Sequence, residues 1–133
     1  MLEMAITFPG GKKVDADVRG HVIRTDQSVS GGGEDSAPAP YDLFLASLGT
    51  CSGIYVLGFC QSRGLSTEGI RLVQRHIFDP ATNALSKVQI DVEVPPSFPE
   101  KYHAALVRVA NKCAVKRTLQ DPPEVEVNTV VTA

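Results

Sequence analysis

The chain has 133 residues, of which 43% are hydrophobic and 21% charged, and its 13 basic and 15 acidic side chains give a net charge of −2. This length fits a single domain, residues 1–133, with one core, and the near balance of charge excludes the strongly basic surface of a general nucleic-acid binder. The three cysteines are an odd number at no zinc-finger spacing. A fully paired secreted disulfide framework is therefore excluded, and we expect a reducing, cytoplasmic compartment.

The first forty residues have the alternation of β-strands. Residues 4–8, 14–18 and 21–25 each predict a strand, because apolar and polar side chains alternate with a period of two. Glycines at the junctions favour turns between them. Residues 28–38 predict a glycine-rich loop.

A long helix is predicted from Pro40 to Arg63. Proline is favoured in a first helical turn, Asp42 complements the positive end of the helix dipole, and Gly64 is a typical helix stop. Residues 43–62 form an uncharged segment that is long enough to span a bilayer. However, small polar residues are frequent in it, and no basic flank or aromatic belt marks either end. We therefore expect no membrane span but a helix buried on nearly all sides, which a partner subunit would help to cover.

The second half predicts two strands at residues 70–78 and 87–94, a second long helix and a last strand at residues 124–131. Ser97 and Glu100 have the spacing of a capping box at the start of that helix. Its inward stripe comprises Tyr102, Leu106, Val109 and Cys113. Antiparallel strands interrupted by two long helices indicate an α+β fold.

The cysteines are the candidate reactive groups. Cys51 lies midway along the first helix and Cys113 at the end of the second, so only the fold can bring them together. A free cysteine also commonly fills space in a core. Cys60 follows Cys51 by nine residues, which at about 100° each places it on the opposite helical face. We therefore interpret Cys60 as a core residue.

Two segments resemble the OsmC/Ohr family (osmotically inducible protein C and organic hydroperoxide resistance protein). Residues 32–51, GGEDSAPAPYDLFLASLGTC, resemble the segment that leads to the reactive cysteine of that family. Residues 113–119, CAVKRTL, are similar to its second signature, a Cys-Pro-Val-type motif. The length and the cysteine spacing fit over nearly the whole chain.

This resemblance implies a thiol-dependent peroxidase that reduces organic hydroperoxides. In such proteins the first cysteine, here Cys51, becomes a sulfenic acid, and the second, here Cys113, condenses with it to a disulfide. A dithiol such as dihydrolipoamide restores both, with no bound cofactor or metal. The implied fold has antiparallel sheets and two long central helices in an intertwined homodimer, with the active sites at the subunit interface.

The chain departs from the family pattern at three places. Tyr41 occupies the position, ten residues before the first cysteine, at which the hydroperoxide reductases have a glutamate. Asp42 either replaces that glutamate or only interacts with the N-terminus of the helix. For the catalytic arginine we choose Arg24, with Arg19 and Lys12 as alternatives. Ala114 replaces the proline of the second motif.

A second function of another class stays open at this point. It is an OsmC-like dimer that binds a small apolar ligand without turning it over, favoured by the missing glutamate. The cations Lys112, Lys116 and Arg117 are interpreted as a solvated face rather than a nucleic-acid patch. The three histidines share no short spacing, so no metal site is predicted.

Overall fold

The computed structural model describes residues 1–133 and divides them into two units, residues 1–47 and 48–133. The strands are β1 (Ala5–Gly10), β2 (Lys13–Val18), β3 (His21–Thr25), β4 (Arg71–Phe78) and β5 (Leu85–Glu93). The helices are α1 (Pro40–Ser62), α2 (His103–Ala110) and α3 (Ala114–Gln120), with a 3₁₀ turn at Glu100–Tyr102. The α+β class and the antiparallel sheets are confirmed.

The first unit contains an antiparallel sheet in the order β1-β2-β3. Arg19 and Gly20 form the two-residue turn between β2 and β3, with φ of 48° and 83°. Positive φ at both central positions is the geometry that matches the twist of a tight hairpin. The three strands predicted from the alternation of side chains are therefore confirmed.

A buried carboxylate organises the loop between β3 and α1. Asp26 is only 1% exposed and accepts hydrogen bonds from the Ser36 hydroxyl at 2.6 Å and from the main-chain N–H groups of Gln27, Ser36 and Glu34. These donors, with the Ser36 hydroxyl foremost, lower the pKa of Asp26 to about 2. The loop that leads into α1 is thus folded around one ionised side chain.

Helix α1 has nearly the predicted bounds. It begins at Pro40, ends at Ser62, and the chain leaves it through Gly64 at φ 64°. One side is buried, whereas Ile54 on the other side is 59% exposed, so the expectation of burial on nearly all sides is wrong for a single chain. By length and composition α1 could span a membrane, a property that core helices share.

The second unit is built on a hairpin of β4 and β5. The core cluster beside it comprises Val56, Phe59, Cys60, Phe98 and Leu106, all at most 7% exposed. Burial of apolar area at this cluster is the main stabilising contribution, at about 25 cal/mol per Å². The core therefore joins α1 to α2 and to the segment before it.

The second long helix was a wrong prediction. The chain forms α2, breaks at Cys113, whose ψ of 125° is extended, and restarts as α3. Leu106 and Cys113 are both buried, so the inward stripe exists, but its spacing fits two consecutive short helices as well as one long helix.

Two further predictions fail in this half of the chain. Ser97 caps no helix, because the first helical turn starts at Glu100 after Pro99 and has no side-chain cap. Residues 124–131 are exposed and form no strand. A strand requires a neighbour for its main-chain N–H and C=O groups, and no strand of this chain pairs with that segment.

Candidate active site at Cys51 and Cys113

The second unit brings Cys51 and Cys113 together. Cys51 lies in the middle of α1 and is half-buried, and Cys113 is the N-cap of α3 and only 1% exposed. The Cys113 side chain lies close enough to Cys51 to lower the pKa of the Cys51 thiol. Two residues 62 positions apart in sequence therefore lie beside each other, a proximity that the family resemblance implied.

Neighbouring contacts hold this pair in place. The Ser52 hydroxyl donates to the carbonyl of Ala110 at 3.1 Å, which ties α1 to the end of α2. The Cys113 thiol donates to the carbonyl of Leu48 at 3.9 Å. The Cys113 sulfur also accepts the main-chain N–H of Lys116 at 3.4 Å, so the break between α2 and α3 is what places this sulfur against α1.

Gly49 allows β4 to approach the same helix. A Cβ at this position would collide with the side-chain oxygen of Gln74, which lies on β4. The side-chain amide of Gln74 in turn hydrogen-bonds the ring of His76 at 2.6 Å. The face of α1 at Gly49 is thus packed against the sheet, and the face at Cys51 meets α3.

Main-chain groups at the start of α3 stabilise the Cys51 thiolate. The N–H of Val115 contributes most to lowering the pKa of Cys51, and burial opposes it. The Cys113 side chain, the Ala114 N–H and the positive charge of Arg117 add smaller contributions in the same direction. Donors and a cation around a sulfur are the usual physical origin of a reactive thiolate.

Arg117 is exposed, as the sequence interpretation expected, but that interpretation did not foresee its effect on Cys51. It lies in α3, four residues after Cys113, and its charge acts on Cys51. Four residues are about one helical turn. The spacing of four residues from a candidate cysteine could have identified Arg117 as a neighbour of the site. That inference required knowing that a helix starts at Cys113.

The other predicted site residues lie in the first unit. Arg24 is exposed on β3, opposite Asp15 of β2. Arg19 is in the hairpin turn, and Lys12 lies between β1 and β2. Their roles toward Cys51 stay predictions.

Asp42 has a defined local role. Its carboxylate accepts the main-chain N–H of Ala39 at 3.0 Å, just before the first residue of α1. A side chain in the first turn that bonds back to the preceding N–H is half of a capping box. This contact favours the interpretation of Asp42 as a residue of the helix N-terminus, and its replacement of the family glutamate stays a prediction.

Cys60 is separate from this pair. It is 0% exposed and belongs to the core cluster, and burial raises the pKa of its thiol. Because Cys51 and Cys60 lie on opposite faces of α1, Cys51 has surroundings that stabilise a thiolate, whereas Cys60 has apolar surroundings. The interpretation of Cys60 as a core residue is confirmed.

A cavity of about 600 Å³ lies beside Cys113 in the second unit. Its walls come from α1, β5, α2 and α3 and are mainly aliphatic, and Cys113 forms part of them. This volume lies within the roughly 300–1,000 Å³ that is typical of small-molecule sites.

Comparison with known proteins agrees with this arrangement. A family model described as OsmC-like protein matches residues 32–128, and no curated protein sequence matches the chain. The fold is similar to that of a protein from Psychrobacter arcticus described as an osmotic stress induced and detoxification response protein. That match has a TM-score of 0.74 and 20% identity over 89% of this chain and 88% of the other.

Two further solved structures have a similar fold. An OsmC-like protein from Vibrio cholerae matches with a TM-score of 0.64 and 12% identity over 89% of this chain and 92% of its own. An organic hydroperoxide resistance protein OsmC from Legionella pneumophila matches with a TM-score of 0.57 and 15% identity, covering 90% of this chain and 89% of its own. At these identities the likeness concerns the fold.

Proposed function

Because the chain belongs to the OsmC-like protein family, we propose that it is a thiol-dependent peroxidase that reduces organic hydroperoxides through Cys51 and Cys113. The observation that carries this proposal is the placement of Cys113 beside Cys51, whose thiol has a lowered pKa. A hydroperoxide resistance protein from Legionella pneumophila with a similar fold adds support. A free cysteine that only fills space in a core requires neither a second thiol beside it nor a lowered pKa.

The first step oxidises Cys51. Its thiolate attacks the terminal oxygen of the hydroperoxide, the O–O bond breaks, and the alkoxide leaves and takes a proton to become the alcohol. Cys51 is then a sulfenic acid. Val115 N–H, Ala114 N–H and Arg117 favour the ionised form of the sulfur for this attack.

The second step protects Cys51 from further oxidation. The Cys113 sulfur attacks the Cys51 sulfur, the S–O bond breaks, and the oxygen leaves as water once it has taken the thiol proton. Because Cys113 already lies beside Cys51, the attack is intramolecular and needs no second molecule to find the sulfenic acid. An external dithiol then reduces this disulfide, with dihydrolipoamide as one such reductant.

The functional unit is a homodimer in a reducing, cytoplasmic compartment. The exposed side of α1 from residue 46 onwards, which includes Ile54, carries no charge and is poorly suited to water. A second copy of the chain that packs on this side buries its apolar side chains. Arg24 acts in such an assembly as the further cation of the site.

The test is the consumption of an organic hydroperoxide with a dithiol present. The unaltered protein should turn over steadily, Cys51→Ser should lose turnover completely, and Cys113→Ser should react once and then over-oxidise as peroxide is added. Turnover that survives Cys51→Ser, in a variant with unchanged circular dichroism, contradicts the proposal.

A second function is favoured by the aliphatic cavity beside Cys113. In this alternative the dimer binds a small apolar ligand without chemical turnover. A cavity of this kind serves storage or sensing as readily as catalysis. Absence of peroxide consumption, together with saturable binding of an apolar ligand, supports it over the peroxidase.

A further inference from the structure

The residue that follows Cys51 is a buried serine. Ser52 is only 6% exposed, and the cavity beside it is mainly aliphatic. A hydroxyl that is buried without a hydrogen-bond partner destabilises a fold. The Ser52 hydroxyl has such a partner in the carbonyl of Ala110, to which it donates at 3.1 Å across 58 residues of sequence.

This partner is not the usual one for a serine within a helix. Such a hydroxyl commonly donates to a carbonyl three or four residues earlier in its own helix, as Ser62 of α1 does to the carbonyl of Phe59 at 3.0 Å. Ser52 instead donates to the last residue of α2, Ala110. Carbonyls at the end of a helix have no partner within that helix. The hydroxyl therefore fixes the end of α2 to α1.

The end of α2 is followed at once by the break that positions the second thiol. The chain leaves helical geometry at Cys113 and restarts as α3. The main-chain N–H groups of Ala114 and Val115, at this restart, are among those that favour the thiolate of the site. Their position depends on where α2 ends, because residues 111–113 are all that separates the two helices.

A second contact joins the same segments, but it depends on the redox state of Cys113. The Cys113 thiol donates to the carbonyl of Leu48 at 3.9 Å. Leu48 and Ser52 are four residues apart on α1, which is about one helical turn, so both lie on the face that meets this break. A Cys113 sulfur in a disulfide has no hydrogen to donate, and the bond to Leu48 is then lost. The Ser52 bond involves no sulfur and is available in both states.

We infer that Ser52 is a positioning residue of the thiol site: its hydroxyl holds the end of α2 against α1 and so keeps the first N–H groups of α3 and the Cys113 sulfur beside Cys51. It acts through the carbonyl of Ala110 and not through contact with the peroxide. The inference deepens the proposed function, and its part on the oxidised protein rests on that function because it needs the Cys51–Cys113 disulfide. Its part on the reduced protein needs only the thiols.

The reduced protein is tested by the pH profile of Cys51 alkylation. The full chain is treated with iodoacetamide, and the Cys51 peptide is followed by mass spectrometry. In Ser52→Ala the midpoint of the profile should move up, because N–H groups that are displaced stabilise the thiolate less. The thiolate population below the midpoint should fall by roughly two- to thirteenfold, the factor that corresponds to one net hydrogen bond.

Ser62→Ala is the matched control on the same helix. It removes a hydroxyl whose bond to the carbonyl of Phe59 stays within α1, so its midpoint should equal that of the unaltered protein. Ser52→Thr and Ser52→Val form a second pair, similar in shape but different in the hydroxyl, and the cavity beside Ser52 has space for the added methyl groups. The threonine variant should keep the midpoint and the valine variant should raise it. This pair decides the question where Ser52→Ala does not fold.

Two results overturn the inference. One is a folded Ser52→Ala or Ser52→Val variant with an unchanged midpoint, even if urea unfolding shows a loss of stability, because the bond then serves stability alone. The other is a threonine variant whose midpoint moves as far as that of the valine variant.

The oxidised protein is tested by the rate at which the disulfide forms. After peroxide treatment, Ser52→Ala should form the Cys51–Cys113 disulfide more slowly than the unaltered protein and accumulate over-oxidised Cys51, whereas Ser62→Ala should not. Equal rates in Ser52→Ala and the unaltered protein overturn this part of the inference. Failure of the proposed function has a different signature, because the disulfide then does not form in the unaltered protein either.

Discussion

Ala114→Pro isolates the contribution of one main-chain donor to the reactivity of Cys51. Ala114 is the first residue of α3, a position that accepts proline, and the preceding Cys113 has the extended ψ of 125° that proline requires. The substitution removes the Ala114 N–H, one of the groups that lower the pKa of Cys51. It also introduces the proline of the family motif that this chain resembles.

The expected size follows from the free energy of one hydrogen bond. A net contribution of about 0.5–1.5 kcal/mol, at 1.36 kcal/mol per tenfold change, raises the pKa of Cys51 and lowers its thiolate population at a pH below that pKa by roughly two- to thirteenfold. The thiolate has lost a donor, so the sign is upward. At any pH below the pKa the variant holds less thiolate and reacts more slowly. Well above the pKa it reacts slightly faster, because a more basic thiolate is more nucleophilic.

The assay is the rate of iodoacetamide alkylation of Cys51 as a function of pH, measured in a background without the other two cysteines. Val115→Ala is the control, because it keeps both main-chain donors. We expect the midpoint of the pH profile to move up in Ala114→Pro and to stay in place in Val115→Ala. An unchanged or lower midpoint in a folded Ala114→Pro variant refutes the assignment of this N–H to the thiolate.

Two further outcomes are expected. Cys60→Ser places a hydroxyl in the apolar core cluster, so urea unfolding should show a loss of about 1–3 kcal/mol while peroxide consumption by the folded protein persists. Loss of consumption equal to that of Cys51→Ser, with folding intact, contradicts the separation of the two cysteines. Sedimentation should give a homodimer at micromolar concentration, and a well-folded monomer there excludes the proposed role of the exposed side of α1.

The elements that the sequence predicted well are those with local signals. Pro40 and Gly64 bracket α1 because proline and glycine restrict or permit particular backbone angles whatever the rest of the fold does. The hairpin of β2 and β3 follows from alternation with a glycine at the turn. These features need few long-range contacts.

The elements that were predicted wrongly depend on distant contacts. Residues 124–131 alternate as a strand does, but a strand exists only where another strand pairs with it. The break at Cys113 is invisible in the apolar spacing, because the same stripe fits one helix or two.

The cysteine pair could be predicted and its surroundings could not. Cys51 and Cys113 were found through the resemblance and the inward stripe, but main-chain donors such as Val115 N–H carry no side-chain signature. Arg117 is exposed as predicted, but its electrostatic effect on Cys51 could not be foreseen because its position in α3 depends on the same unpredicted break. The chemistry of this site is set largely by backbone geometry.

The most direct test of the two-cysteine mechanism is the disulfide formed after one equivalent of organic hydroperoxide. Peptide mapping should find Cys51 linked to Cys113 and Cys60 as a free thiol, because Cys113 lies beside Cys51 while Cys60 lies in the core cluster. Cys51 found unlinked while the peroxide is consumed catalytically, or linked to Cys60, contradicts the mechanism.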